Sequence, residues 1–489
     1  MTELEKYFSS FRENIIGIDT SYESPFGKQK IVYADWIASG RLYGPIEKKM
    51  LEEIGPFVAN THTEASETGT LMTNSYRLAH QQVKKHVNAG PNDIILTAGF
   101  GMTAVVNKLQ RILGLKSCGR LAGTDCLQDK DKPVVFITHM EHHSNQTSWY
   151  ETNAEVVMIE PDKDLLIDLD DLRRNLEKYK EREFKIGSFT ACSNVTGIET
   201  PYYEMSKIMH EYGGLCFIDF AASAPYVEID MHPEDPLMKL DAIYLSPHKF
   251  LGGPGSSGVL IFDKSMYRSE VPDNPGGGTV DWTNPWGAYK YVDDIEVRED
   301  GGTPGFLQAI RTALAFNLKE KMGVENIRKR EEELVSLAFD GLKKIEGIHI
   351  LADNMEDRLG VISFYHEDMH FNLLVKILSD RFGIQVRGGC VCAGTYGHYL
   401  LEVSYERSRQ ITEKINHGDL SEKPGWVRWS LHPTTTNKEV RFFLESLKSI
   451  IANFSEWKLD YVYLKRSNEF MHKDQQEAPS EKHVAWFRL

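Results

Sequence analysis

The sequence predicts an α/β protein with a mainly parallel sheet covered by helices on both faces, followed by a smaller α/β domain. From about residue 90, short apolar runs alternate with longer amphipathic stretches, which is typical of strands and helices in a parallel sheet. The alternation fades into glycine, proline and aromatic residues at 263–305 and then resumes. A chain of 489 residues also exceeds what one hydrophobic core usually holds.

The first series contains the strands of the larger sheet. Each is a short apolar run, which favours a strand buried on both faces over a helix. The predicted strands are 93–97, 134–138, 155–159, 186–193, 215–220, 242–245 and 258–262, and the predicted helices between them include 101–113, 168–180 and 202–212. In such a sheet, ligands bind at the carboxyl ends of the strands.

The second series indicates a smaller domain. Long helices are predicted over 303–347 with a break at Gly323, followed by strands at 360–365, 383–387 and 426–431 and a helix at 371–382. Residues 404–424 are charged and lack apolar periodicity, which predicts an inserted surface loop. We therefore divide the chain into an N-terminal segment (1–30) packed on the small domain, a large domain (31–320) and a small domain (321–489).

The composition argues against several classes of partner. The formal net charge of −15 disfavours binding to nucleic acid or to an anionic membrane. No run approaches the roughly 18 apolar residues of a membrane span, and the first residues lack the apolar core of a signal peptide. Six unevenly spaced cysteines suit a reducing compartment better than a disulfide framework. We expect a cytoplasmic, acidic protein of mixed α/β structure.

Polar side chains follow the predicted strands of the larger sheet. Lys249 lies with Ser246 and His248 in a glycine-rich turn between two buried strands. Asp219 ends an apolar strand, where a buried carboxylate needs a cationic or protonated partner. Asn194 follows another strand, in a turn before a helix. Taken singly, a lysine in a turn is most often a solvated surface charge, Asp219 could be a helix N-cap, and Asn194 is most simply a turn residue.

Three further motifs fall at strand ends. The amides of "GFGMTA" (99–104), with Thr103, could hold an anion at a helix N-terminus. The tandem histidines His142 and His143 follow the strand 134–138. Cys390 and Cys392 come just after a strand of the small domain, and with His398 they could form part of a zinc site, although a fourth ligand is not evident. We therefore predict no metal.

The order of these motifs resembles the class V branch of fold-type I pyridoxal-phosphate (PLP) enzymes, and most closely the cysteine desulfurase and selenocysteine lyase family. The similarity extends over about residues 30–455 and implies the three-layer, aspartate-aminotransferase-like fold of PLP-dependent transferases. The segments that carry it are "EHHSN" (141–145), "CSNVTGIETP" (192–201), "FIDFAAS" (217–223), "YLSPHKF" (244–250), "GGTPG" (301–305), "VRGGCVC" (386–392) and "VRWSLHPTTTNKEV" (427–440).

The resemblance implies how PLP would be held. Lys249 would form the internal Schiff base, Asp219 would keep the pyridine nitrogen protonated, and His142 would stack on the ring and move protons. A homodimer with sites at its interface is implied because one phosphate ligand comes from the second subunit. The implied phosphate ligands are Gly101, Met102, Thr103, Ser246 and His248, with Thr303 from that second subunit.

The resemblance also implies the reaction. Arg428 would bind the substrate carboxylate bidentately with the help of Asn194, and Asn60 and His62 match a segment that lines the family's site. Cys392 would attack the sulfur of L-cysteine, or the selenium of L-selenocysteine, as a thiolate. Alanine would leave, and a sulfur-acceptor protein could take the sulfur from the resulting persulfide.

Departures from the family's pattern leave alternatives open. Ala222 stands where desulfurases commonly carry a glutamine that bonds the PLP phenolic oxygen, so that either Ser223 or a water substitutes or the electronics of the cofactor differ. Met102 replaces a hydroxyl residue, and Cys390 is an additional thiol. One alternative is a class V aminotransferase, epimerase or other lyase in which Cys392 is not catalytic. Another is a scaffold that has lost the cofactor and acts as a binding or regulatory subunit.

Overall fold

The computed structural model describes residues 1–116, 132–474 and 484–488. Its first half contains the following elements: α1 (Glu3–Arg12), β1 (Ser21–Ser24), β2 (Gly27–Lys30), β3 (Val32–Tyr33), α2 (Gly44–Lys48), α3 (Glu67–His86), β4 (Asp93–Ala98), α4 (Met102–Ile112), β5 (Val134–Thr138), α5 (His143–Tyr150), β6 (Glu155–Ile159), α6 (Leu169–Lys178), β7 (Lys185–Thr190), α7 (Tyr202–Glu211), β8 (Leu215–Asp219), β9 (Ala242–Leu245) and β10 (Gly258–Asp263).

The second half continues with α8 to α14 and β11 to β19. These elements are β11 (Val280–Thr283), β12 (Tyr289–Tyr291), α8 (Ile295–Arg298), α9 (Phe306–Met322), α10 (Val324–Leu342), β13 (Ile348–Ile350), β14 (Val361–His366), α11 (Phe371–Phe382), β15 (Ile384–Gln385), β16 (Arg387–Gly389), α12 (Gly394–Leu400), α13 (Tyr405–Asn416), β17 (Trp426–Ser430), α14 (Asn437–Trp457), β18 (Tyr461–Leu464) and β19 (Glu469–His472).

The larger sheet has seven strands in the order β4-β10-β9-β8-β7-β5-β6. Strand β10 runs antiparallel to both of its neighbours, and the other pairs are parallel. Successive residues of β5 point to opposite faces, so Val134 and Phe136 pack in one apolar cluster while Val135 and Ile137 pack in another. Both faces are therefore covered, and the predicted α/β class with a mainly parallel sheet is confirmed.

A second sheet lies in the C-terminal part, in the order β13-β14-β17-β16, with all its pairs antiparallel. Strand β3 leaves the N-terminal region and pairs in parallel with β15, through Val32 and Ile384. The next residues continue beside β17, where Asp35 forms a bridge with Ser430. Because of this crossing, a segment near the start of the chain lies against the C-terminal sheet.

The N-terminal helix α1 packs on the C-terminal helices. The Tyr7 hydroxyl donates to the carbonyls of Lys321 and Met322, at 3.2 Å each, and Arg12 forms an ion pair with Glu439 at 2.6 Å. Phe8 on the same helix is almost fully buried in an apolar cluster. These contacts connect the two ends of the chain.

The prediction of a surface loop over 404–424 is wrong, since the segment contains α13. Ser404 caps this helix by accepting a hydrogen bond from the Arg407 amide at 3.2 Å. Its interior is rich in Glu, Arg, Gln and Lys, which have good helix propensity, and only Ile411 is buried. One buried residue produces no apolar stripe, so the periodicity that normally identifies a helix is missing.

The region 263–305, which has no periodic pattern in the sequence, contains a short antiparallel hairpin of β11 and β12. Its aromatic side chains are largely exposed, including Trp282 and Trp286. Exposed aromatic residues on a two-stranded ribbon give no alternation between a buried and a solvated face, which explains why the strands could not be predicted.

Within the described ranges, no helix combines the length and the apolar character that crossing a bilayer requires. The longest, α14, spans 21 residues and carries charges along its outer face, including Lys438, Arg441 and Glu445. Its apolar residues face the C-terminal core instead, where Val440, Phe443 and Leu447 are buried. The helix is therefore amphipathic.

Candidate active site

A cavity of about 250 Å³ lies at the carboxyl ends of β5, β7, β8 and β9. The structure brings most of the predicted site residues together in its lining, which consists of Ile37, Ala38, Gly101, Met102, Thr103, His142, Ser144, Thr190, Cys192, Asn194, Asp219, Ala221, Ala222, Ser246, His248, Lys249, Arg387, Val391, Cys392 and Arg428. Residues from both sheets contribute because the C-terminal sheet faces the strand ends of the larger one. This edge is where ligands bind in open α/β sheets.

Three predicted residues lie outside this cavity. Asn60, His62 and Thr303 are exposed, and His62 lines a separate cavity of about 330 Å³ with Tyr76 and Asp300. The Gly302 amide, next to Thr303, donates to the Gly277 carbonyl at 2.9 Å, and the adjacent Gly278 lies against the His62 ring. Within one chain, Asn60, His62 and Thr303 therefore lie on a surface outside this cavity.

An anion cradle occupies one end of the cavity. Helix α4 begins there, and the Met102 amide donates to Ser246 Oγ at 2.9 Å. A Cβ atom on Gly101 would lie 3.2 Å from Ser246 Oγ and 3.5 Å from His248 Nε2, so the absence of a side chain keeps this space open. The free amides and positive end of a helix N-terminus favour a phosphate group.

Lys249 and Asp219 provide an amine and an acid in the same cavity. Lys249 ends a short 3₁₀ turn, Pro247–Lys249, after β9, and Asp219 is the last residue of the neighbouring strand β8. Burial lowers the pKa of Lys249 to about 8 and raises that of Asp219 to about 6, and each charge favours the ionised form of the other. Asp219 Oδ1 accepts a hydrogen bond from the Ala221 amide at 2.8 Å.

His142 is neutral in this environment. Burial, with a contribution from the Lys249 charge, lowers the pKa of His142 to about 3. Its Nδ1 accepts a hydrogen bond from the Ser144 amide at 3.1 Å, so the proton of the neutral ring is on Nε2. The preceding Glu141 is buried, and burial raises its pKa to about 8, while Thr138, Asn145 and the Thr190 amide donate hydrogen bonds to it.

The cysteine loop follows β16 and enters the cavity with Val391 and Cys392. Both have left-handed backbones, with φ of 42° and 60°, which is unusual for residues other than glycine. Strain of this kind persists only where neighbouring groups hold it. Asn194 Nδ2 donates to the Val391 carbonyl at 2.7 Å, and the His143 amide donates to the Cys392 carbonyl at 2.8 Å. The thiol of Cys392 is free and exposed, whereas Cys390 is partly buried.

Two arginines share one carboxylate at the opposite side of the cavity. Arg428 Nη2 donates to Asp35 Oδ1 at 2.9 Å, and Arg387 Nε donates to Asp35 Oδ2 at 3.0 Å. Arg428 is buried, its Nη1 donates to the Asn194 carbonyl at 3.1 Å, and its Nε has no hydrogen-bond partner. Burial lowers the pKa of Arg428. Arg428 also lines the cavity, and a guanidinium group in that position can bind an incoming carboxylate.

Sequence reasoning missed Asp35, which contacts two arginines of the cavity lining, and Cys192, which belongs to the lining itself. Asp35 lies in "YADWIAS", where an acidic residue amid apolar ones was the available signal. Cys192 lines the cavity, is almost fully buried, and its pKa is raised by burial. It immediately precedes the "SNVTG" segment that was singled out, and a lone buried cysteine gives no signal beyond packing.

The position at which desulfurases commonly carry a glutamine is occupied by Ala222. Ala222 lines the cavity and supplies no hydrogen-bond donor there. Ser223 is buried, its hydroxyl has no hydrogen-bond partner, and it lies outside the cavity lining. The side-chain amide nitrogen of Asn194 donates to the Val391 carbonyl, and its Oδ1, which can only accept, has no hydrogen-bond partner.

The described residues contain no group of three or more His, Cys, Asp or Glu side chains arranged to hold a metal ion. His398, which was considered as a zinc ligand, is engaged elsewhere. Its Nδ1 lies 2.7 Å from the Gly394 carbonyl and its Nε2 lies 2.8 Å from Ser408 Oγ. Both ring nitrogens therefore already have hydrogen-bond partners.

The fold and the cavity together define a fold-type I PLP-dependent enzyme. The groups in the cavity fit PLP. A helix N-terminus with Ser246 and His248 suits its phosphate, a lysine of lowered pKa suits its aldehyde, and a buried carboxylate suits its ring nitrogen. The profile of the family described as Aminotransferase class-V matches residues 32–443, and the chain belongs to this family.

Individual relatives agree with this assignment. A probable cysteine desulfurase of Halalkalibacterium halodurans is 29% identical over 369 residues, covering 74% of this chain and 84% of the relative. One of Staphylococcus aureus is 28% identical over 370 residues, covering 75% and 84%. Among solved structures, the apo cysteine desulfurase of Thermococcus onnurineus NA1 has a TM-score of 0.72 at 22% identity, and the Escherichia coli cysteine desulfurase CsdA has 0.70 at 19%. Each covers 91% of this chain and 98% of the solved chain.

Proposed function

We propose that this enzyme is a cysteine desulfurase or selenocysteine lyase, which removes sulfur from L-cysteine, or selenium from L-selenocysteine, and releases alanine. One observation carries the proposal: the free, exposed thiol of Cys392 lies in the same cavity as Lys249, Asp219 and Arg428. A nucleophilic sulfur that can reach a substrate bound near Lys249 is what distinguishes desulfuration from amino transfer. The relatives named probable cysteine desulfurase support the same activity.

The chain's own residues have distinct tasks in this proposal. Lys249 captures the cofactor, and Asp219 stays ionised opposite a protonated ring nitrogen, because pairing with a cation offsets its desolvation. Arg428, which lines the cavity, orients the substrate carboxylate. Bound PLP supplies an electron sink for negative charge that develops next to the amino group. Neutral His142 can hold or deliver a proton at Nε2.

Cys392 performs the sulfur chemistry. Its thiolate forms an S–S bond to the substrate sulfur, and the electrons of the breaking C–S bond pass to the substrate carbon, which takes up a proton. The products are alanine and a persulfide on Cys392. A thiol reductant, or a sulfur-acceptor protein, then removes the outer sulfur. The strained, anchored loop supports this role because it holds the thiol at the cavity while leaving it exposed.

The enzyme is proposed to work as a homodimer. Thr303 lies on the exposed surface that also carries His62 and Asn60, away from the cavity of its own chain. If this surface faces the cavity of a second copy, the hydroxyl of Thr303 can complete the phosphate cradle, and Asn60 and His62 can line the site from the partner subunit. We also propose that the enzyme works in the cytoplasm.

The test measures sulfide and alanine released from L-cysteine, with a thiol reductant present, alongside the visible absorbance of the purified protein. Lys249→Ala is expected to lose the absorbance band and all turnover. Cys392→Ala is expected to keep the band and lose sulfide release, whereas Cys390→Ala, the matched control two residues away, is expected to retain both. Sulfide release by Cys392→Ala at the wild-type rate would refute the persulfide step. Amino transfer to a keto acid without sulfide would favour an aminotransferase.

A further inference from the structure

The pair Arg387 and Arg428 depends on Asp35. The two arginines are directly opposite each other on the antiparallel strands β16 and β17, so their side chains share one face of the sheet. Like charges in this arrangement repel each other. Asp35 lies between them and contacts both, with Oδ1 on Arg428 at 2.9 Å and Oδ2 on Arg387 Nε and Nη2 at 3.0 Å each.

The position of Asp35 is fixed by its backbone. The Ser430 amide donates to the Ala34 carbonyl at 2.9 Å, and the Ala38 amide donates to the Asp35 carbonyl at 3.0 Å. The Asp35 side chain is only 13% exposed. The carboxylate is therefore held in place against the two arginines, which line the cavity, and is not a mobile surface group.

The combined charge of Arg387, Arg428 and Asp35 favours the binding of a single anion. Two guanidinium groups and one carboxylate give a net charge of +1. Lys249 and Asp219, the other charged side chains in the lining, balance each other. Arg428 lines the cavity and contacts Asp35 through Nη2 alone, whereas both Nε and Nη2 of Arg387 are occupied by Asp35. A first carboxylate can bind at Arg428, but a second one would meet a guanidinium that is already paired and a nearby negative charge.

We propose that Asp35 is a specificity-determining residue that restricts this site to amino acids with one carboxylate and excludes dicarboxylic ones of the aspartate type. Discrimination arises from repulsion as well as attraction, since a second carboxylate would approach an arginine whose Nε and Nη2 edge already holds the negative charge of Asp35. The inference rests on the proposed function only in taking an amino acid as the substrate.

The experiment compares two carboxylates that undergo no reaction, propanoate and succinate, by calorimetric titration of the PLP-loaded protein. The wild-type protein is expected to bind succinate no more tightly than propanoate. In Asp35→Asn, the preference for succinate over propanoate should rise by at least about tenfold, because Arg387 becomes free to pair with the second carboxylate. The double variant Asp35→Asn/Arg387→Met should lose this gain, since the second cation is gone.

A matched control is Asp273→Asn. Asp273 also contacts two cations, Arg111 at 2.6 Å and Lys108 at 3.5 Å, but lies outside the cavity. It should leave the succinate-to-propanoate ratio unchanged. Thermal unfolding of each variant checks the fold, and Asp35→Ser repeats the test with a smaller neutral side chain if the asparagine variant is unstable.

The proposal is overturned if the wild-type protein already prefers succinate, or if the ratio is the same in folded Asp35→Asn or Asp35→Ser. This outcome is distinguishable from failure of the proposed function, because carboxylate binding requires no sulfur chemistry. An unchanged succinate-to-propanoate ratio in an enzyme that releases sulfide contradicts only the proposed role of Asp35. The expected ratios in a protein that releases no sulfide contradict only the proposed desulfurase activity.

Discussion

The main chain of His143 is hydrogen bonded to the carbonyl of Cys392 at 2.8 Å, which ties the loop bearing the exposed thiol to the first turn of α5. The same histidine makes a second bond to the loop, since its Nε2 accepts the Gly394 amide at 2.9 Å. Accepting at Nε2 requires the neutral ring, and burial, together with the charge of Lys423, lowers the pKa of His143. One residue thus holds the loop at the strained Cys392 and again two residues later, at Gly394.

Removing the His143 imidazole is expected to change the position of the Cys392 thiol and to leave the binding of PLP unchanged. In His143→Ala, the Gly394 amide loses its acceptor, so we expect sulfide release to fall by about tenfold, the equivalent of one hydrogen bond. The absorbance of bound PLP should not change. His143→Gln, whose carbonyl can accept from Gly394, should recover most of the rate. Equal rates for His143→Ala and the wild-type enzyme would show that this bond does not hold the loop.

The capture of the cofactor should depend on the pKa of Lys249. Only a neutral amine adds to an aldehyde, and the pKa of Lys249 is lowered by burial to about 8. The rate at which the PLP-free protein gains its absorbance band should therefore rise with pH up to about 8 and then level off. In Asp219→Ala, the loss of a nearby negative charge should lower the pKa further and move the plateau to lower pH. A wild-type rate that still rises steeply above pH 9 would contradict the lowered pKa.

Replacing Asp219 should reduce turnover more than it reduces the binding of PLP. Replacement by asparagine removes the negative charge opposite the ring nitrogen, so we expect an absorbance band at an altered wavelength and a fall in turnover on the order of a hundredfold or more. Asp241→Asn is a matched control. Asp241 is equally buried but precedes β9, at the other end of the strands, and pairs with His210 at 2.7 Å. That variant should lose thermal stability and keep its turnover, whereas similar losses of turnover in both variants would argue for a structural role of Asp219.

Subunit mixing tests whether Thr303 acts across the dimer. Lys249→Ala removes the amine from its own cavity, and Thr303→Asp places a negative charge against the phosphate of the partner's cavity. Each homodimer should be inactive. Co-expression should produce a hybrid with one complete site, which combines Lys249 of one chain with Thr303 of the other, and partial activity should return.

The control for this experiment pairs two variants whose residues line the same cavity. A hybrid of Lys249→Ala with Asp219→Ala has a defect in each site, because both residues belong to the cavity of their own chain. It should stay inactive. If the Thr303→Asp mixture stays inactive too while hybrids form, Thr303 does not act in trans.

Local sequence determined the strands of the larger sheet and the position of Lys249 and Asp219 at their ends, because short apolar runs bounded by turn formers specify buried strands without help from distant segments. The same local signal failed at α13, where a single buried residue, Ile411, gives no periodicity. Only the tertiary structure decided that Asp35 meets Arg428, 393 residues away. That contact requires β3 to cross to β15 and β17 to pair with β16 in one register. No local propensity encodes a register between distant strands, since it results from the packing of segments that meet only in the folded chain.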